Sequence, residues 1–214
     1  MSEFRDWLKD LPLIAVLRGI TAEDAEAAVD AVASAGWRIV EVTLNSPDPL
    51  TTLGRLVRRA SGRLLVGAGT VITADQANRV ADAGARLMVA PNCDGAVIGA
   101  ARLRGLYAVP GVATPSEAFA ALAAGADALK LFPAEMLPPE AVKAWRAVVP
   151  WDTVLLPVGG IGSGNMAAYL KAGADGFGIG SSLYRPGDSP DTVYARAVTL
   201  AAACRAALAA REGP

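Results

Sequence analysis

The chain has four lysines, Lys9, Lys130, Lys143 and Lys171, and only Lys130 lies inside an apolar run, Ala128-Leu-Lys-Leu-Phe-Pro133. Such a run reads as a strand, where successive side chains point to opposite faces, so Lys130 faces away from Leu129 and Leu131. On a face packed against helices an unpaired ammonium is costly, whereas the mouth of a parallel sheet accommodates it. Desolvation at such a mouth lowers the amine's pKa and leaves more free base to attack a carbonyl. A structurally paired lysine, or one snorkelling from a strand end, fits the position equally well. Glu41 stands in the same kind of setting, Ile39-Val-Glu-Val-Thr-Leu44. A carboxylate beside an amine can move protons through carbinolamine formation, dehydration and carbon–carbon cleavage. An ion pair to Arg18 across adjacent strands is its structural alternative.

Two glycine motifs, Gly159-Gly-Ile-Gly162 and Gly178-Ile-Gly-Ser181, follow short apolar runs near the end of the chain. Glycine lets backbone N–H groups approach an anion, and parallel barrels often hold phosphate on the loops after strands seven and eight. Tight turns without a ligand use the same residues.

These side chains need elements to position them. Apolar runs are predicted as strands at Leu13–Leu17, Ile39–Leu44, Leu64–Val66, Leu87–Ala90, Leu106–Val109, Ala128–Phe132, Thr153–Val158 and Gly176–Ile179. Ala-rich helices separate them: 22–35 after a Thr21 cap, one begun by Pro47, one capped by Thr73, 96–103, one opened by a Thr114-Pro-Ser-Glu117 capping box, 139–149, 163–172 and one from Asp191. Gly36, Gly84, Gly125 and Gly173 follow the ends of four of them as left-handed caps. Eight strand–helix units predict an α/β fold, a single (β/α)8 TIM barrel over residues 1–214, with a doubly wound open sheet as the alternative. In a barrel the residues ending strands face the site: Arg18, Glu41 with Asn45, Gly67-Ala-Gly-Thr70, Pro91-Asn92, Pro110-Gly111, Lys130, Gly159-Gly160 and Gly180-Ser181-Ser182.

Composition narrows the chemistry. The 214 residues include no histidine, which excludes a histidine-ligated metal and a Ser-His triad. Cys93 and Cys204 lack metal-ligand or disulfide-framework spacing. A net charge of −1 without like-charge runs gives no footprint for nucleic acid or an anionic membrane. No apolar run approaches the ~18 residues needed to span a bilayer, and the charged N-terminus has no signal-peptide core, so a cytoplasmic protein is expected.

Taken in order, Leu17-Arg-Gly-Ile20, Glu41-Val-Thr-Leu-Asn-Ser-Pro47, Gly67-Ala-Gly-Thr-Val71, Lys130-Leu-Phe-Pro-Ala134, Val158-Gly-Gly-Ile161 and Gly180-Ser181 resemble the family of 2-keto-3-deoxy-6-phosphogluconate and -galactonate aldolases. The resemblance covers roughly residues 12 to 185. It implies a homotrimeric class I aldolase, without metal or other cofactor, that cleaves a phosphorylated keto-deoxy sugar acid to pyruvate and glyceraldehyde 3-phosphate. By the same resemblance Lys130 is the Schiff-base lysine and Glu41 the acid/base. Arg18, Gly69 and Thr70 hold the substrate carboxylate, Pro91 and Phe132 wall the pyruvyl pocket, and Gly159, Gly160, Ile161, Gly180 and Ser181 bind phosphate. Leu44-Asn45-Ser46 and Val158 resemble the galactonate branch, with Val158 at the epimer-selecting position. A phosphate-binding isomerase or synthase barrel and a non-catalytic phosphosugar sensor would share the glycine loops but would not need Lys130.

Pyruvate with borohydride is therefore expected to add one reduced pyruvyl group, mapped by peptide mass to Lys130. Lys130→Arg should abolish labelling as fully as Lys130→Ala, because a guanidinium forms no imine. A label on Lys9, Lys143 or Lys171, or none, would remove the imine chemistry.

Overall fold

The computed structural model describes residues 3–212. Met1, Ser2, Gly213 and Pro214, which the one-domain and leader readings included, lie outside the described residues. Helices α1 (Phe4–Leu8), α2 (Ala25–Ser34), α3 (Pro49–Ala60), α4 (Ala74–Asp82), α5 (Gly95–Leu103), α6 (Pro115–Ala123), α7 (Pro139–Arg146), α8 (Met166–Lys171) and α9 (Pro190–Glu212) alternate with strands. The strands are β1 (Leu13–Leu17), β2 (Ile39–Thr43), β3 (Leu65–Gly69), β4 (Leu87–Val89), β5 (Tyr107–Val109), β6 (Gly111–Val112), β7 (Leu129–Leu131), β8 (Leu155–Pro157) and β9 (Phe177–Ile179). All pairings are parallel, in a six-stranded sheet ordered β5-β4-β3-β2-β1-β9 and a three-stranded sheet ordered β6-β7-β8.

Pro110 alone separates β5 from β6, and with no N–H to donate it interrupts the ladder where the strand passes from one sheet to the other. Its carbonyl accepts the Lys130 N–H at 2.9 Å. At the other junction Val158 forms a parallel bridge to Gly178, and the Asp175 N–H donates to the Leu155 carbonyl at 2.9 Å.

Strand parity sorts the apolar side chains into two clusters. Leu13, Ala15, Leu17, Val40, Val42, Val66, Ala68, Leu129 and Leu131 pack with the helices. Ile14, Ile39, Leu65, Leu87, Val109, Val154 and Leu156 form an inner cluster shared by both sheets, stoppered at one end by Phe4 and Leu8 of α1. Lys130 and Glu41 have inner parity. At the stoppered end, Arg5 pairs with Asp175 at 3.9 Å and the Arg211 guanidinium donates to the Ala174 carbonyl at 3.1 Å.

Several boundaries differ from the sequence reading. β3 runs on through Gly67-Ala-Gly69 because Gly67 leaves room for Leu87, whose Cβ would lie 2.4 Å from a Cβ at 67. α2 starts at Ala25; Thr21 closes the turn ahead of it, its hydroxyl bonded to the Asp24 carboxylate at 2.7 Å. The helix expected from Pro47 starts at Pro49, after Asp48 in the left-handed region (φ 40°). α7 and α8 are shorter than the expected 139–149 and 163–172. The Thr73 cap and the Thr114–Glu117 capping box form as read, and the four cap glycines all have positive φ. α9 is long and apolar enough to cross a membrane by length and composition, which the run-based reading overlooked because its apolar residues are mostly alanine. It lies against α2 and α8, burying Val193, Ala197, Leu200, Ala201 and Cys204 along one face.

Two glycine substitutions should move stability in opposite directions. Gly67→Ala, set against Leu87, should lower unfolding free energy by about 1–3 kcal/mol. Gly99→Ala, inside α5 with nothing within 4 Å of its Cβ, should raise it by about 0.5–1 kcal/mol. Chemical denaturation of both variants checks the pair, and a stabilising Gly67→Ala would refute the packing described for β3.

Candidate active site

A cavity of about 500 Å³ opens at the C-terminal ends of the strands. Lys130 lies on its wall with 5% exposure, held inward by β7 between Gly111 and Leu156 in register. Its Nζ sits 4.6 Å from the centre of the Phe132 ring, whose face attracts a cation. Glu41, 2% exposed, comes up from β2 opposite Gly67 and shares a small void of about 10 Å³ with Lys130. The carboxylate lies against Gly69, where a Cβ would be 2.6 Å from Oε1.

Burial and charge act on this pair together. Desolvation pushes the Lys130 ammonium below its ordinary range and Arg18 pushes the same way, while Glu41 draws it back up. Desolvation raises the Glu41 carboxyl, with Lys130 and then Arg18 lowering it. Among the described residues no ion pair within 4 Å joins Lys130, Glu41 or Arg18 to an opposite charge. Burial thus shifts the lysine toward the free amine and the glutamate toward the carboxylic acid, forms suited to nucleophilic attack and proton transfer.

Beside Lys130, the loop after β8 adds glycine backbone to the wall. Gly159 and Gly160 have φ of 106° and 62°, conformations that a side chain would strain, and their backbone borders the cavity. This loop is held by three hydrogen bonds from two side chains. The Asn165 amide donates to the Gly160 carbonyl at 2.9 Å, the Asn165 carbonyl oxygen accepts the Gly162 N–H at 3.0 Å, and the Ser182 hydroxyl donates to the Ile161 carbonyl at 2.9 Å. The last bond ties it to the loop after β9, which brings Gly180 and Ser181 to the cavity.

The cavity wall includes Arg18, Lys130, Phe132, Val158, Gly159, Gly160, Ile161, Gly180 and Ser181 from the sequence reading. Glu41 lies just beneath, with Gly69 against it. Thr70 and Pro91 are not on the wall. Thr70, in the left-handed region at φ 59°, follows Gly69 at the end of β3, and the Pro91 backbone packs over Gly111. Glu135, Tyr184 and Arg185 do line the cavity and were missed. The Glu135 side chain lies on the glycine loop, with Oε2 2.3 Å from a Cβ built at Gly159, so an anion seated there must displace it. Arg185 is anchored by its Nε–H to the Ser181 carbonyl at 3.3 Å. Continuing the strand-end search three or four residues past the Gly180-Ser181 step would have found Tyr184 and Arg185.

A parallel α/β fold with a buried amine, a buried carboxyl and glycine loops at the strand C-termini defines a class of enzyme that works on small anionic carbonyl compounds. A family model described as KDPG and KHG aldolase matches residues 4–194, and the chain belongs to that family. It is 48% identical over 192 residues, 90% of this chain and 91% of the relative, to a probable 2-dehydro-3-deoxy-6-phosphogalactonate aldolase of Rhizobium meliloti (strain 1021). Among solved structures it resembles native KDPGal, at a TM-score of 0.92 and 43% identity, covering 93% of this chain and 97% of that one. It also resembles the KDPG aldolase of Legionella pneumophila captured with pyruvate as a covalent carbinolamine, at a TM-score of 0.78 and 31% identity, covering 92% of this chain and 93% of that one.

The electrostatics can be read directly. With only four lysines, ¹³Cε labelling resolves each amine by NMR. Lys130 should titrate below its ordinary 10.5, lower still in Glu41→Gln, which removes the charge favouring the ammonium, and higher in Arg18→Met. A Glu41→Gln shift in the upward direction would contradict the described coupling.

Proposed function

We propose that this chain is a class I aldolase cleaving 2-dehydro-3-deoxy-6-phosphogalactonate to pyruvate and D-glyceraldehyde 3-phosphate. The observation that carries the reading is the buried Lys130 amine beside buried Glu41, on the wall of a cavity that the Gly159–Gly160 loop also lines. The free amine attacks the C2 ketone, and the carbinolamine loses water to give an iminium. Glu41, made a carboxylate by giving its proton to the hydroxyl that leaves the carbinolamine as water, takes the C4 hydroxyl proton as the C3–C4 bond breaks, and the bonding pair moves into the iminium. The aldehyde leaves, the enamine is protonated at C3, and water hydrolyses the imine to pyruvate and free Lys130. Arg18, with Gly69 and Thr70, is assigned to the substrate carboxylate, and Phe132 and Pro91 to the pyruvyl pocket. Gly159, Gly160, Ile161, Gly180 and Ser181 are assigned to the phosphate.

The same reading treats the chain as one domain in which the two sheets close into an eight-stranded barrel. The passage of the β5–β6 strand through Pro110 and the Val158–Gly178 bridge support closure. A homotrimer follows the family resemblance. Highly charged sugar-acid phosphates do not cross a bilayer unaided, which supports a cytoplasmic enzyme.

Val158, on the cavity wall beside the glycine loop, favours the galactonate epimer over the gluconate alternative. A threonine hydroxyl there can hydrogen-bond one C4 configuration, whereas valine offers only shape. Such a bond contributes about 0.5–1.5 kcal/mol net, so selection is modest. The enzyme should cleave the galactonate epimer well and the gluconate epimer detectably, and Val158→Thr should shift the ratio of kcat/KM toward gluconate by about tenfold or less. Measuring both epimers on both proteins decides it. A strong wild-type preference for gluconate would reassign the epimer, and cleavage of neither would refute the activity.

A further inference from the structure

The loop that carries Arg18 is held by a serine hydroxyl from the neighbouring strand's loop. Gly19, with φ 75°, turns the chain after β1 and donates its N–H to Ser46 Oγ at 2.8 Å. Ser46 is buried at 7% exposure, and its Oγ lies 3.1 Å from the hydroxyl of Thr43, itself 1% exposed. Ser46 also donates its own N–H to the Thr43 carbonyl at 2.9 Å. A hydroxyl offers one proton and two lone pairs, so Gly19 and Thr43 between them can fix its orientation. One residue further on, the Leu44 N–H donates to the Gly69 carbonyl at 2.8 Å. The segment after β2 therefore joins the loop after β1 to the end of β3. The other side of the Gly19 turn is closed by Pro186, whose Cγ would lie 2.9 Å from a Cβ at Gly19. The Arg18 guanidinium itself is exposed, and no salt bridge among the described residues directs it.

We infer that Ser46 is a positioning residue for Arg18: its hydroxyl, oriented by Thr43, fixes the Arg18–Gly19 turn so that the guanidinium is preset to receive the substrate carboxylate. This rests on the assignment of Arg18 to that carboxylate. Ser46 does not line the cavity, so its loss acts through the geometry of Arg18, on substrate capture before it acts on imine chemistry at Lys130.

The test is a double-mutant cycle on the full-length enzyme, read by steady-state cleavage and by the pyruvate concentration that half-saturates borohydride trapping. Ser46→Ala should raise KM and the half-saturating pyruvate by about tenfold, while kcat stays within about threefold, the scale of one lost hydrogen bond. In an Arg18→Met background Ser46→Ala should add no further rise, because the residue it positions is gone. Thr43→Val keeps the Gly19 bond but frees the Ser46 hydroxyl, and should raise KM by about threefold; it decides the question if Ser46→Ala does not fold. An unchanged KM with only a lower melting temperature, or a full additional rise in the Arg18→Met background, overturns the inference. If Arg18→Met alone leaves KM unchanged, the carboxylate assignment fails first and takes the inference with it. If Arg18→Met raises KM and Ser46→Ala does not, only the role of Ser46 is lost.

Discussion

An amine and a carboxyl are buried on the inner faces of two parallel sheets, bordering one small void, and much of the local sequence answers to that arrangement. Bringing Lys130 and Glu41 out of water disfavours both charged forms, while the opposite charge of each favours the other's ion. Glycine keeps the strands around them clear. Gly69 makes room for the Glu41 carboxylate, while Gly67, paired with Glu41, admits Leu87, and Gly111, paired with Lys130, admits the Pro91 backbone. Leu, Ile and Val fill the inner layer on the α1 side of the pair. Glycine surrounds the charges and branched apolar residues support them from below.

Above the pair, the walls of the cavity differ in construction. The Arg18 wall is side-chain chemistry on a turn fixed by Ser46, while the Gly159–Gly160 wall is backbone held by Asn165 and Ser182. A substrate with a carboxylate at one end and a phosphate at the other would meet a guanidinium at the first and N–H groups at the second. Holding both ends fixes where the ketone lies relative to Lys130. Glu135 complicates the second end, because its carboxylate lies on the same glycines.

Much of this was legible in the sequence because strand parity is a strict rule. A lysine between two leucines, and a glutamate between two valines, must face away from those neighbours, and both do. The apolar runs marked eight strand positions, though not their ends. Gly67 and Gly69 looked like loop residues because glycine in isolation signals a turn, whereas here it is required by Leu87 and Glu41 across the sheet. That requirement comes from contacts between distant residues and leaves no local trace. Thr70 and Pro91 were assigned through resemblance and stand off the cavity wall. Glu135, Tyr184 and Arg185 sit beyond the strand ends, where loop geometry decides what returns to the cavity.

The tethers at the α1 end bear on how this chain can be re-engineered. Arg5 reaches Asp175 and Arg211 reaches Ala174, so the first and last described helices converge on the stretch leading into β9. That stretch enters the sheet at the pole away from the catalytic mouth. A circular permutant that joins these two ends with a short linker would disturb only that pole. New termini could then be cut into a surface loop, and cargo attached there or at the joined pole would leave access to Lys130 open.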